Sequence, residues 1–105
     1  MRRVVVTGIG MCTPLGFGSN FCWNSLTSSK SGIRKLAGFE IDDLKSKVGG
    51  QLALQGESSL FPENVIDQKD KKKMEPFIEY ALIASKEAIL DSGWEANNEK
   101  ESLRT

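Results

Sequence analysis

The apolar positions of this chain change rhythm from one segment to the next, and each rhythm predicts a different element. Val4, Val5 and Val6 form a continuous β-branched run bounded by glycine, the pattern of a strand covered on both faces in a parallel or mixed sheet. Gly8, Gly10, Gly16 and Gly18 predict a loop after it. Ser19 is placed to cap a short helix reaching about Ser28, with Trp23 and Leu26 three residues apart and directed inward. Ser31-Gly32 closes that segment. Phe39 to Leu44 reads as a loop or short turn, and Val48 to Leu54 as a strand weakened by Gly49 and Gly50. Gln55 to Glu63 is turn-rich.

The clearest periodicity follows. Met74, Phe77, Ile78, Ala81, Leu82, Ser85, Ala88 and Ile89 recur at three- and four-residue spacing and share one face of a predicted helix. Pro76 suits its first turn with Glu75 as the cap, and Gly93 suits the left-handed position just past its end. Tyr80, Ile83 and Leu90 widen the apolar surface, so cover on more than one side is expected. Glu95 to Thr105 is polar and reads as a surface connection. One strand that wants neighbours on both edges, one broadly apolar helix and little else make a thin core. The inventory predicts an α/β chain that is the N-terminal piece of something larger.

Composition narrows the chemistry. The 105 residues suit one small domain, and 14 basic residues balance 14 acidic ones. Net charge therefore argues for neither nucleic acid nor an anionic membrane as partner. There is no histidine, which removes the commonest general base and a favoured metal ligand. Cys12 and Cys22 lack zinc-type spacing and read as small core side chains. No metal or cofactor is expected. No apolar run reaches membrane-spanning length, and Met1-Arg2-Arg3 leads straight into the predicted strand with no targeting segment visible.

The stretch VVVTGIGMCTPLG invites a dinucleotide-binding reading. Such a loop needs G-x-G-x-x-G at a strand end, so that amides at a helix N-terminus meet the pyrophosphate. Gly8 and Gly10 match, but Thr13 occupies the third position, and the predicted helix starts too late. Glu40, near where an acidic ribose ligand is expected, lies in a turn-like region. The pattern does not support the dinucleotide reading.

The same residues, RRVVVTGIGMCTPLG followed by a helix with Trp23 and then KSGI, resemble the opening of the β-ketoacyl-acyl-carrier-protein synthases, the condensing enzymes of fatty acid synthesis. The resemblance continues through DQKDKKKMEPFIEYALIASKEAILDSGW and is closest to the elongating, type I/II enzymes. It implies that residues 1–105 are the N-terminal portion of a thiolase-like fold, a mixed sheet with packed helices, incomplete in this chain and homodimeric in the full-length protein. It implies a glycine segment that turns sharply and packs closely. It also implies decarboxylative Claisen condensation, in which a cysteine takes the acyl chain as a thioester and two histidines assist malonyl decarboxylation. The family places that cysteine in a TACxxG-like motif beyond the equivalent of Thr105, so no catalytic residue is assigned here.

Lys69, Lys71, Lys72 and Lys73 form the one dense charge cluster. By residue type alone it is a solvated turn before a helix. The resemblance implies docking of acidic acyl carrier protein, with Lys69, Lys72 and Lys73 at the family's basic positions and Lys71 at a variable one. The implied compartment is the bacterial cytoplasm or the mitochondrial matrix. A competing reading is a non-catalytic module that binds an acidic partner through the lysines. A dinucleotide-binding enzyme comes third.

Overall fold

The computed structural model describes residues 1–52 and 66–104. Two small antiparallel ladders and four helices form among them, a mixed α/β content. The first ladder pairs β1 (Cys12–Thr13) with β2 (Gly16–Phe17), in the register Cys12 to Phe17 and Thr13 to Gly16. Pro14 and Leu15 make the turn. Thr13 Oγ1 steadies it by accepting the Leu15 N–H at 3.1 Å.

Gly18, at a φ of 90°, takes the N-cap position of α1 (Ser19–Thr27). Ser19 is therefore the first helical residue rather than the cap. The face that α1 buries holds Cys22 and Ser25. Trp23 and Leu26 are instead 64% and 58% exposed. The helix is fixed on the hairpin through Cys22, whose Sγ lies 3.2 Å from the Gly16 carbonyl, and that contact turns Trp23 and Leu26 away.

β3 (Ile33–Lys35) pairs with β4 (Val48–Gly50), Ile33 opposite Gly50 and Lys35 opposite Val48. The pattern predicted a strand over Val48–Leu54. The observed one ends at Gly50, and Ala53 and Leu54 lie outside the described residues, as does the turn-rich stretch Gln55 to Glu63. Arg34 ties this ladder to the first hairpin by donating from Nη2 to the Pro14 carbonyl at 3.1 Å.

Three helices follow, α2 (Gln68–Lys71), α3 (Pro76–Ser92) and α4 (Glu99–Ser102). α3 has the predicted ends. Glu75 is extended at the cap position without a side-chain cap bond, Pro76 opens the first turn, and Gly93 adopts φ 64°. Its buried face differs from the predicted stripe. Glu79 and Ile83 are buried, while Phe77, Leu82, Ile89 and Leu90 are exposed. α4 forms inside the polar tail expected to be a surface connection, capped by Asn98, whose Oδ1 accepts the Glu101 N–H at 2.9 Å.

Val4, Val5 and Val6 form no ladder, and each is more than 70% exposed. A strand exists only against a neighbour, and the described residues supply none. The buried apolar core among them is small: Phe17, Cys22 and Ile83. Accessible area is 8881 Å², where a folded monomer of this mass exposes roughly 5,800 Å². The radius of gyration is 17.1 Å, against about 13 Å for a compact domain. Much of the apolar surface that the sequence marks for burial is thus uncovered.

Candidate functional site

The glycine segment is laid directly on α3. A methyl group built on Gly10 would stand 1.8 Å from the Ala84 carbonyl oxygen, and one on Gly8 would stand 2.2 Å from that of Ala88. Ala84, Ala88 and Ser92 recur every four residues, so small side chains line one stripe of α3 where the glycine backbone approaches. Beside that stripe, two carboxylates accept the segment's amides. Asp91 Oδ2 accepts the Ile9 N–H at 3.0 Å, and Glu87 Oε2 accepts that of Met11 at 2.9 Å. Glu87 Oε1 accepts both the N–H and the hydroxyl of Ser19, at 2.7 and 3.0 Å. A carboxylate at the N-terminus of α1 also faces the positive end of its dipole.

This geometry argues against a dinucleotide at the loop. The amides of Ile9, Met11 and Ser19 are committed to carboxylates, and a pyrophosphate would meet two negative side chains there. Close packing is what Gly8 and Gly10 provide. The hydrophobic spacing that marks α3 singles out neither Glu87 nor Asp91. The available signal was a pair of acids at i, i+4 flanking a small-residue stripe.

Neither thiol is set up as a nucleophile. Cys22 is buried, with Sγ 3.1 Å from Thr13 Oγ1. Cys12 is half-buried and its Sγ donates to the Tyr80 carbonyl at 3.4 Å. Burial, and then the Glu87 carboxylate, push the Cys12 thiol up, although a backbone contact at Ala84 opposes them. A reactive cysteine needs the opposite shift. Among the described residues no group of three or more His, Cys, Asp or Glu side chains could hold a metal ion.

The structure divides the lysine cluster. Lys69 on α2 and Lys72 and Lys73 in the turn after it are exposed. Lys71 is half-buried, and its Nζ lies 3.9 Å from Glu79 Oε2 on α3. Lys71 is the last residue of α2, whereas Lys72 and Lys73 lie in the turn after it, where the Lys73 N–H donates to the Asp70 carbonyl at 2.9 Å. Asp67 is occupied as the cap of α2, accepting the Lys69 N–H at 3.2 Å.

Two open grooves lie among the described residues. One of about 920 Å³ is lined by Ile9, Met11, Pro14, Trp23, Leu26 and Ile33, among others. The other, of about 450 Å³, lies between α2 and α3 beside Met74, Leu82 and Ile89. Among the described residues no helix is long and apolar enough to cross a membrane.

Comparison with known proteins gives a consistent match. The family model described as "Beta-ketoacyl synthase, N-terminal domain" matches residues 1–104. The 3-oxoacyl-(acyl-carrier-protein) synthase 2 of Rhizobium meliloti (strain 1021) is 35% identical over 107 residues, which cover 100% of this chain and 25% of that protein. The synthase 2 of Vibrio cholerae is 35% identical over 93% of this chain and 22% of its own length. The mitochondrial 3-oxoacyl-(acyl-carrier-protein) synthase of Arabidopsis thaliana is 34% identical over 99% of this chain and 25% of its own. The chain thus spans about a quarter of the length of the curated relatives it matches.

Proposed function

The chain belongs to the β-ketoacyl synthase family, and from that premise we propose that residues 1–105 form the N-terminal part of a 3-oxoacyl-acyl-carrier-protein synthase of thiolase-like fold. The match across residues 1–104 carries the reading. The enzyme joins an acyl thioester to malonyl-carrier protein. The malonyl carboxylate leaves as CO2, and the resulting enolate carbon attacks the acyl carbonyl carbon, displacing the thiolate of the active-site cysteine. The residues that break and form those bonds are a cysteine and two histidines. This chain contains no histidine, and its cysteines join the hairpin to α3 through Cys12 and to α1 through Cys22. Its part is architecture and substrate delivery.

Delivery falls to Lys69, Lys72 and Lys73. Three exposed ammonium groups within five residues present a positive patch to the acidic acyl carrier protein, which is the substrate carrier in the names of the relatives. The uncovered apolar surface is where the remainder of the fold and the second subunit of a homodimer pack. Bacterial and mitochondrial relatives support the bacterial cytoplasm or the mitochondrial matrix as its compartment.

The test is a chimera in which these residues replace the matching quarter of the Rhizobium meliloti enzyme. It should elongate acyl-carrier protein with malonyl-carrier protein, whereas residues 1–105 alone should yield no β-ketoacyl product. A folded chimera without condensing activity would overturn the proposal.

A further inference from the structure

Glu79 is a carboxylate held almost out of water. Its side chain is 10% exposed, and the ammonium group of Lys71 stands 3.9 Å from its Oε2. A charge with so little hydration needs a counter-charge close by. α2, from which Lys71 comes, has four residues, too few to persist on backbone hydrogen bonds alone. Asp67 fixes its beginning, and Lys71 ties its other end to α3. Lys69, Lys72 and Lys73 on the same short segment are exposed.

We propose that Lys71 is a positioning residue: by pairing with Glu79 it holds α2 and the following turn in place, so that the other three lysines present their charge as one patch to an acidic carrier protein. The inference rests on the docking reading above. Lys71 then matters to docking without touching the carrier. Losing its charge leaves the three other ammonium groups in number but lets the turn move, which spreads them and lowers the field they build together.

The experiment measures binding of acyl carrier protein to the full gene product at two salt concentrations. The variants are Lys71→Met, Glu79→Gln, the double variant, Lys71→Arg and the triple reversal K69E/K72E/K73E. Lys71→Met and Glu79→Gln should each weaken binding about two- to fivefold at low salt, the range of a partly exposed ion pair. The double variant should be no weaker than either single one, because both break the same tie. Lys71→Arg should bind as the parent does. Near-ultraviolet circular dichroism should show the parent fold for Lys71→Met, which keeps the test open if Glu79→Gln unfolds.

Each other result overturns the inference in a distinguishable way. If Lys71→Met weakens binding while Glu79→Gln leaves it unchanged or tightens it, Lys71 acts on the carrier through its own charge and not by positioning the turn. If the triple reversal weakens binding and neither single variant does, docking stands and the positioning role falls. If the triple reversal has no effect, the docking reading fails and this inference fails with it.

Discussion

Glu87 and Ser19, 68 residues apart in sequence, share two hydrogen bonds, from the Ser19 N–H at 2.7 Å and from its hydroxyl at 3.0 Å. The second Glu87 oxygen holds Met11. One carboxylate therefore fixes both the entry to α1 and the glycine segment before it. Replacing Glu87 by Gln puts an amide donor where one of these donors must be met. Hydrogen bonds to a charged group are worth about 1.5–3 kcal/mol each. The Ser19 and Met11 amides should exchange with solvent at least about tenfold faster in Glu87→Gln, measured by hydrogen exchange. Unchanged protection would show that the carboxylate is incidental.

Gly10 tolerates no side chain. The new methyl group in Gly10→Ala would meet the Ala84 carbonyl at 1.8 Å, a backbone atom that cannot step aside. Overpacking of this kind costs about 1–3 kcal/mol and more where the neighbour is rigid. The same substitution at Gly38, where nothing lies within 4 Å, meets no such contact, although its φ of 91° adds strain. Denaturant titration of the full-length protein should rank Gly10→Ala as the more destabilising of the two.

The exposed apolar surface predicts self-association of the 105 residues in isolation. Trp23, Leu26 and Ile33 border one groove, and Leu82, Ile89 and Leu90 border the other. Patches of this extent invite contact with other chains. Sedimentation should find aggregated or polydisperse material that binds an apolar dye. A monodisperse monomer with a sharp thermal transition would contradict the expectation.

In the full-length enzyme proposed above, reversing Lys69, Lys72 and Lys73 to glutamate should raise KM for carrier-bound substrate by about ten- to hundredfold. Activity on a small acyl thioester without the carrier should survive. Steering by exposed charges is screened beyond roughly 8–10 Å, so the defect should shrink at high salt. Steady-state kinetics with both substrates checks it. An unchanged ratio would reduce the lysines to a solvated turn.

Alkaline pH should weaken the fold through Cys12. Its folded thiol is raised, first by burial and then by Glu87, so the unfolded chain releases that proton more readily. The contribution is intact below the ordinary thiol value of about 8.5 and is lost as pH climbs from there through the raised folded value. Tyr80 is raised as well, by burial and then by Glu79, and adds to the loss at higher pH. Cys12→Ala should flatten the first part of the alkaline decline in urea titrations of the full-length protein.

The ends of α3 were legible because proline and glycine act locally. A missing N–H at Pro76 and a left-handed φ at Gly93 need no distant partner. Its buried face was not legible. Hydrophobic spacing marked Phe77, Leu82 and Ile89, but the neighbour that α3 meets is a bare glycine backbone, which selects small residues and hydrogen-bond acceptors. The hairpin at Cys12–Phe17 escaped notice because its strands are two residues long, below any readable alternation. Val4–Val6 reads as a strand by composition, but pairing is a property of two segments. At the candidate docking site the charges were visible in the sequence. The turning of Lys71 toward Glu79 became visible only once α2 and α3 were side by side.

The clasp between the glycine segment and α3 also orders events on the ribosome. Ile9, Met11 and Ser19 emerge first, yet the carboxylates that hold them follow 68 to 82 residues later. At roughly 5–20 residues per second the opening segment waits about 3–16 s before its acceptors exist. Nothing within that segment can satisfy those amides in the native way meanwhile, so the N-terminus stays solvated or chaperone-bound until α3 clears the exit tunnel. Synonymous codons that slow translation between Ser19 and Asp91 would lengthen that vulnerable interval without altering a single contact of the finished protein.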